Sequence, residues 1–351
     1  MSKTGHHIAS IGIAVPPYEF TQEQAKSFFI KYYSDSLSPK SMETIRKVFS
    51  HPSVRRRHFA FENADVLLNE DPDKCIQRFT HWAVRLSAEA VNKALAKISL
   101  TVQDVSALVV NTCTGYICPG ISTYLIESLG LKKTTKVYDL VGSGCGGAIP
   151  NIELCRGLLN DSPQSIVVSV SVEICSCTFQ SRDDNGLIIS NAIFGDGAAA
   201  AVLWNRSDGL ALISSRSLYV PQYRDDIRFV YKKGRLYNQL SLKVPKAAAK
   251  AAAQVVHQLL QSQGLKIDDI KYWALHAGGE KVINEVKQAM GLSEEHLKST
   301  RDILANFGNI SSPTVWFVLN DLQNSGLSLD SWLIMLTFGA GLSAHALLLK
   351  T

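Results

Sequence analysis

The chain lacks most of the features that mark secreted, metal-binding and nucleic-acid-binding proteins. Its 351 residues hold seven cysteines, an odd number, and none forms a zinc-type Cys-x-x-Cys pair, so neither a disulfide framework nor a metal site is expected. No basic segment followed by an apolar run appears in the first fifty residues, and the expected location is the reducing cytoplasm. Charged residues are only 19% of the chain; the net charge of +5 is mild, with no long basic block or interleaved aromatics, so no nucleic-acid partner is expected. Residues 332–349 lack Asp, Glu, Lys and Arg and are long enough to cross a bilayer. Gly339, Gly341, Ser343 and His345 interrupt that run, so two buried strands and a turn are expected in place of a membrane span.

What is present is a large apolar fraction, 46%, and an internal repeat. Leu100-Thr101-Val102-Gln103-Asp104-Val105 runs into the apolar stretch 107–110, and Leu265-Lys266-Ile267-Asp268-Asp269-Ile270 runs into 272–275, an offset of 165 between Asp104 and Asp269. Each half then places a Gly-rich turn before a helical pattern: Gly144-Cys145 leads into 149–159, and Gly308-Asn309 leads into 315–322, an offset of 164. Each closes on a small-residue strand, after Phe194-Gly195-Asp196-Gly197 and after Phe338-Gly339-Ala340-Gly341, where the offset falls to 144. Continuous apolar strands alternating with helices predict an α/β fold of two duplicated halves, 1–205 and 206–351, packed face to face. Equivalent loops of the two halves then meet at their junction.

Three residues on those loops carry chemistry. Cys145 lies in Gly142-Ser143-Gly144-Cys145-Gly146-Gly147-Ala148, between a strand and a helix, where unpaired N–H groups and the helix dipole favour a thiolate. His276 ends a strand in Leu275-His276-Ala277-Gly278-Gly279, a position from which it can pair with the thiolate or donate to a thioester oxygen. By the 165 offset its counterpart is Asn111. Asn309 occupies the loop equivalent to that of Cys145; its amide donates hydrogen bonds but is no base, which suits stabilising an enolate. Taken singly, a buried cysteine, a structural histidine and a Gly-Asn turn are ordinary. Cys, His and Asn in that order also occur in papain-like proteases, but there the cysteine sits near the mature N-terminus of a secreted chain.

Four motifs give these residues a family context. Thr112-Cys113-Thr114-Gly115-Tyr116-Ile117-Cys118-Pro119-Gly120, Phe194-Gly195-Asp196-Gly197-Ala198-Ala199, His276-Ala277-Gly278-Gly279 and Gly308-Asn309-Ile310-Ser311-Ser312 together resemble the type III polyketide synthases, the chalcone-synthase-like branch of the thiolase superfamily. The resemblance implies a thiolase-like fold layered αβαβα. It also implies a homodimer and a CoA-dependent acyltransferase that condenses malonyl-CoA onto an acyl-CoA without a cofactor. By the same resemblance Cys145 accepts the acyl group, His276 and Asn309 promote decarboxylation, and Phe194 gates the cavity. Thr178, Cys175, Cys113, Ser190 and Ser311 surround the acyl pocket, and Cys118 crosses into the partner subunit. The basic cluster Arg46, Lys47, Arg55, Arg56 and Arg57 resembles the stretch that binds CoA phosphates.

There are departures from the pattern. Ala277 replaces a proline, Thr337-Phe338-Gly339-Ala340-Gly341 replaces Gly-Phe-Gly-Pro-Gly, and no second gating phenylalanine is evident near 237–245. The alternatives are a ketoacyl synthase III-like enzyme performing one condensation, with an acyl carrier protein as thioester donor, and a non-catalytic partner subunit of the same fold.

Overall fold

The computed structural model describes residues 5–351. The first half contains β1 (His7–Ala14), β2 (Tyr18–Thr21), α1 (Gln22–Tyr33), α2 (Pro39–Phe49), β3 (Arg56–Phe59) and α3 (Pro72–Ala96). It continues through β4 (Ala107–Asn111), α4 (Ile121–Leu129), β5 (Lys136–Leu140), α5 (Ala148–Asp161), β6 (Val167–Ile174), α6 (Asn185–Ile193) and β7 (Asp196–Trp204). The second contains β8 (Leu210–Tyr219), the hairpin β9 (Ile227–Lys232) and β10 (Arg235–Leu240), α7 (Val244–Ser262) and β11 (Ile270–Leu275). It ends with α8 (Glu280–Met290), α9 (Glu294–Phe307), α10 (Thr314–Asn324), β12 (Trp332–Gly339) and β13 (Ser343–Lys350).

The repeat is visible in local chemistry. Before β4 the Asp104 carboxylate accepts from the Thr101 N–H at 2.8 Å, and before β11 Asp269 does the same for Lys266 at 2.7 Å. Both are short 3-10 turns closed by an aspartate reaching back three residues, the return half of a capping box. The strands that follow repeat one pattern: β4 runs parallel to β6, β6 antiparallel to β7 and β7 antiparallel to β1, while β11, β12, β13 and β8 repeat that order and polarity. Residues 332–349 fall in β12 and β13, the two buried strands expected of them.

The two sheets are joined edge to edge where β1 meets β8 at His7–Ala211 and Ile8–Leu210, so nine strands form one hydrogen-bonded series. Face-to-face packing of the halves is not sheet on sheet. Helices α5 and α10 lie between, each touching strands of both halves. Val315, Trp316, Phe317, Val318 and Leu319 of α10 are wholly buried, as expected of a helix covered on all sides. Their core includes α5 and the inward residues of β4, β6, β7, β12 and β13. A second core packs α3 and α4 on the other face of the first sheet, and a third packs α7 and α8 on that of the second. This is the expected αβαβα layering. The drop in offset to 144 also has a local cause: a 3-10 turn and α6 separate β6 from β7, where a three-residue turn suffices between β12 and β13.

Candidate active site

Cys145 lies in a 3-10 turn, Gly144–Gly146, at the entry to α5. The turn is pressed against the β12–β13 connection: a Cβ on Gly144, which has a φ of 57°, would lie 2.8 Å from the Ala340 main-chain nitrogen. One on Gly339 would lie 2.2 Å from the Ser143 oxygen. The glycines on both sides therefore permit a backbone contact that no side chain could share. The contact ties the nucleophile loop of one half to the closing turn of the other.

The Cys145 Sγ accepts a hydrogen bond from Ser311 Oγ at 3.1 Å. Burial nevertheless pushes the thiol up to about 12, with the Ser311 bond opposing and the nearby Glu173 carboxylate reinforcing the shift. His276 follows β11, its N–H bonded to Leu336 O at 2.9 Å, and burial lowers its imidazole to about 4. Burial thus opposes the thiolate that the helix terminus favours at the partly exposed Cys145, and among the described residues no hydrogen bond joins it to His276. His276 Nδ1 has no protein partner, so neither tautomer is locked.

Asn309 is held more tightly. Its amide oxygen accepts from Ser311 N at 2.7 Å and Thr314 Oγ1 at 3.4 Å, which leaves the NH2 group for the cavity it lines. Its backbone forms a parallel bridge with Phe194. Cys145, His276, Asn309 and Phe194 thus line one cavity of about 480 Å³, joined by Phe338 and, farther out, Lys47, His51 and Lys281. Phe194 also lines a second cavity of about 150 Å³, walled by Phe20, Phe28, Phe59, Phe61 and Phe179.

The remaining predicted residues divide. Cys175, Thr178 and Ser190 line the second cavity, and Ser190 accepts from Asn238 Nδ2 at 2.8 Å. Cys113 and Ser311 instead stand beside Cys145, their Sγ and Oγ atoms 3.4 Å apart. Cys118 is exposed and lines neither cavity.

The basic cluster is corrected most. Of its five members only Lys47 lines the main cavity. Arg46 is exposed on α2, Arg55 donates to Asn306 Oδ1 at 3.3 Å and Arg56 pairs with Glu19 at 3.4 Å. Arg57 is 1% exposed and bonded to main-chain carbonyls. Along β3 the alternation of faces turns Arg57 inward and leaves Arg56 exposed, with Arg55 exposed just before the strand, so the run is divided.

Sequence reasoning missed Glu173, which ends β6 fully buried. It accepts from Ser312 Oγ at 2.6 Å, Cys113 N at 2.9 Å, Thr114 N at 3.1 Å and Thr114 Oγ1 at 2.9 Å. Burial raises its carboxyl and these bonds oppose the rise. The available signal was a lone acid within the apolar run 166–175.

Comparison with known proteins follows this geometry. Residues 18–215, more than half of the chain, match the family described as FAE1/type III polyketide synthase-like protein. The chain belongs to that family. Residues 211–351 match the C-terminal domain of chalcone and stilbene synthases. The 3,5-dihydroxyphenylacetyl-CoA synthase of Streptomyces toyocaensis is 26% identical, covering 98% of this chain and 89% of its own. Pks18 of Mycobacterium tuberculosis, described as an α-pyrone synthesis polyketide synthase-like protein, is 27% identical over 89% of this chain and 83% of its own. The crystal structure of PKS-I from the brown alga Ectocarpus siliculosus superposes with a TM-score of 0.90 at 27% identity, covering 99% of this chain and 98% of that one. This type III polyketide synthase is accordingly an acyltransferase acting on CoA thioesters, and among the described residues no helix is long and apolar enough to cross a membrane.

Proposed function

We propose that the enzyme builds a polyketide or pyrone by decarboxylative condensation of malonyl-CoA onto an acyl-CoA starter carried on Cys145. The observation that carries this reading is the convergence of Cys145, His276 and Asn309, from both halves, on one cavity of about 480 Å³. In the first half-reaction the cavity-facing Nε2 of His276 takes the Cys145 proton as sulfur attacks the acyl carbon and keeps it while CoA leaves as the thiolate, which is protonated by solvent. In the second, Nε2–H and the Asn309 NH2 donate to the malonyl thioester oxygen. The C–C electron pair released with carbon dioxide becomes an enolate, which attacks the acyl carbon and returns the thiolate of Cys145. Because Nε2 keeps the proton taken from Cys145, the second step needs no proton exchange at the buried Nδ1. The chemistry calls for no metal or redox cofactor.

Lys47 and Lys281 at the cavity mouth are proposed to hold the CoA phosphates. The smaller cavity, about 150 Å³ and walled by phenylalanine, matches a phenyl-sized apolar end of the acyl group. A homodimer is proposed through the face that carries exposed Cys118, Tyr116 and edge strand β5, where Val141 is 57% exposed. The cytoplasm is the proposed location, with CoA preferred over a carrier protein as donor. Mass spectrometry of products from malonyl-CoA and a panel of acyl-CoAs, with Cys145→Ala as control, tests the reading. Products with two or more extensions, lost in the control, support it; a single extension, or none without a carrier protein, overturns it.

A further inference from the structure

Arg57 is a buried cation that the catalytic proposal does not use. Four successive carbonyls at the end of α6, those of Asn191, Ala192, Ile193 and Phe194, take donors from outside the helix. Arg57 Nη1 donates to Asn191 O at 2.7 Å and to Phe194 O at 2.8 Å. Gln22 Nε2 donates to Ala192 O at 2.8 Å, and the Gln22 oxygen is held by Arg57 Nη2 at 2.8 Å. The fourth carbonyl, Ile193 O, accepts from the N–H of Asn309 itself at 2.8 Å, and Gly195 N returns a bond to Asn309 O at 3.0 Å. The stem of Arg57 packs under the neighbouring turn, for a Cβ on Gly308 would lie 2.8 Å from its Cγ and Cδ.

A cation at a helix C-terminus meets the negative end of the dipole, which offsets part of the cost of burying it. Its guanidinium also lies 4.9 Å from the Phe59 ring centroid. Burial lowers the group to about 9, with Asp196 opposing, so it stays charged at neutral pH. The bonds of Arg57 and Gln22 therefore converge on the segment that ends in Phe194 and bridges Asn309.

Resting on the condensing-enzyme reading, we infer that Arg57 is a positioning residue for decarboxylation, clamping the end of α6 so that the Asn309 amide and the Phe194 ring face the Cys145 cavity. The clamp bears directly on the second half-reaction and reaches the nucleophile only through Ser311, whose N–H is held by Asn309 Oδ1 and whose Oγ donates to Cys145 Sγ. A misplacement of Asn309 on the order of 1 Å lowers the rate about 10²-fold without removing any group that binds CoA.

The experiment compares wild type, Arg57→Met and Arg57→Lys for carbon dioxide release from malonyl-CoA and for alkylation of Cys145 by iodoacetamide. In Arg57→Met, kcat for carbon dioxide release is expected to fall about 10²-fold with KM within about threefold. Alkylation should change less than about twofold, and Arg57→Lys, keeping the cation, should recover part of the loss. If Arg57→Met does not fold, Gln22→Leu removes the Ala192 contact and the acceptor of Arg57 Nη2 while keeping both Arg57 Nη1 bonds, and should lower kcat about tenfold with the same split. Equal loss of both readouts, or no difference between the Lys and Met variants, overturns the inference. Absence of carbon dioxide release from wild type overturns the condensing-enzyme reading and the inference with it.

Discussion

Strands β4 and β11 end at equivalent places, in Asn111 and His276, 165 residues apart. Asn111 is saturated: its Nδ2 donates to Ser312 Oγ at 2.8 Å, and its oxygen accepts from Asn151 Nδ2 at 2.9 Å and Ser171 Oγ at 2.8 Å. His276 is as deeply buried, yet its Nδ1 has no partner and its ring lines the cavity. A duplicated scaffold thus spent one copy of the position on holding the centre together and left the other unsatisfied. Buried polar groups are normally paired, so an unpaired ring that lines the cavity is the copy free to meet a substrate in the proposed reaction. The same asymmetry separates the two loops: Cys145 depends on a hydroxyl from the second half, and Asn309 on carbonyls from the first.

The sharpest break is expected at the loops. Cys145→Ala should lower product formation on the order of 10³-fold or more, while carbon dioxide release from malonyl-CoA, measured separately, persists. His276→Ala and Asn309→Ala should each cost about 10²- to 10³-fold in carbon dioxide release, the effect of losing one oxyanion donor. Iodoacetamide should still label Cys145 in both. Equal loss of labelling would mean that the two residues act on the nucleophile instead.

Asn111→Ala should invert that result. It removes one bond from each of three buried partners that keep others, and is expected to destabilise the fold by about 1–3 kcal/mol in a urea titration, with Cys145 labelling per folded molecule unchanged. If Asn111→Ala were neutral, the contrast between saturated and unsaturated copies would fail.

Stability should respond to acid at the histidines. His276 and His345 are both lowered to about 4 by burial, so the unfolded chain binds protons from about pH 6.5 downward while the folded chain does not. Their contribution is present above pH 6.5 and is lost as pH falls towards 4, about 3 kcal/mol for each at the limit. Glu173 and Asp196, raised by burial, act in the opposite sense, so the informative quantity is a difference. His345→Asn, which keeps a donor towards Ser217, should flatten the fall in Tm between pH 6.5 and 4 relative to wild type.

The smallest effect expected is on selectivity. Ala64→Leu, at the wall of the smaller cavity, should lower kcat/KM for a phenyl-tailed acyl-CoA about tenfold relative to acetyl-CoA. An unchanged ratio would show that the acyl end lies elsewhere.

The fold was legible because duplication leaves a trace that one chain can display. The aspartate turns at Asp104 and Asp269, and the loops at Cys145 and Asn309, stand at nearly constant offsets, and offset converts to spatial equivalence once each half folds alike. The arginines were not legible. Arg46 to Arg57 read as a charge cluster, but strand alternation and burial send Arg55, Arg56 and Arg57 to three different tasks. Glu173 was missed for the converse reason: a single acid in a strand carries no spacing, and its partners, Cys113, Thr114 and Ser312, come from two distant loops.

The sequence by itself determined the layered α/β architecture and singled out Cys145, His276 and Asn309 as residues that meet at one cavity, because periodicity, repeat offset and motif are properties of order along the chain. Only the tertiary structure decided how burial shifts Cys145 and His276, the division of the acyl residues between two cavities and the bonds of Arg57. Desolvation, cavity shape and the satisfaction of carbonyls depend on atoms brought together from both halves, and no stretch of sequence contains them.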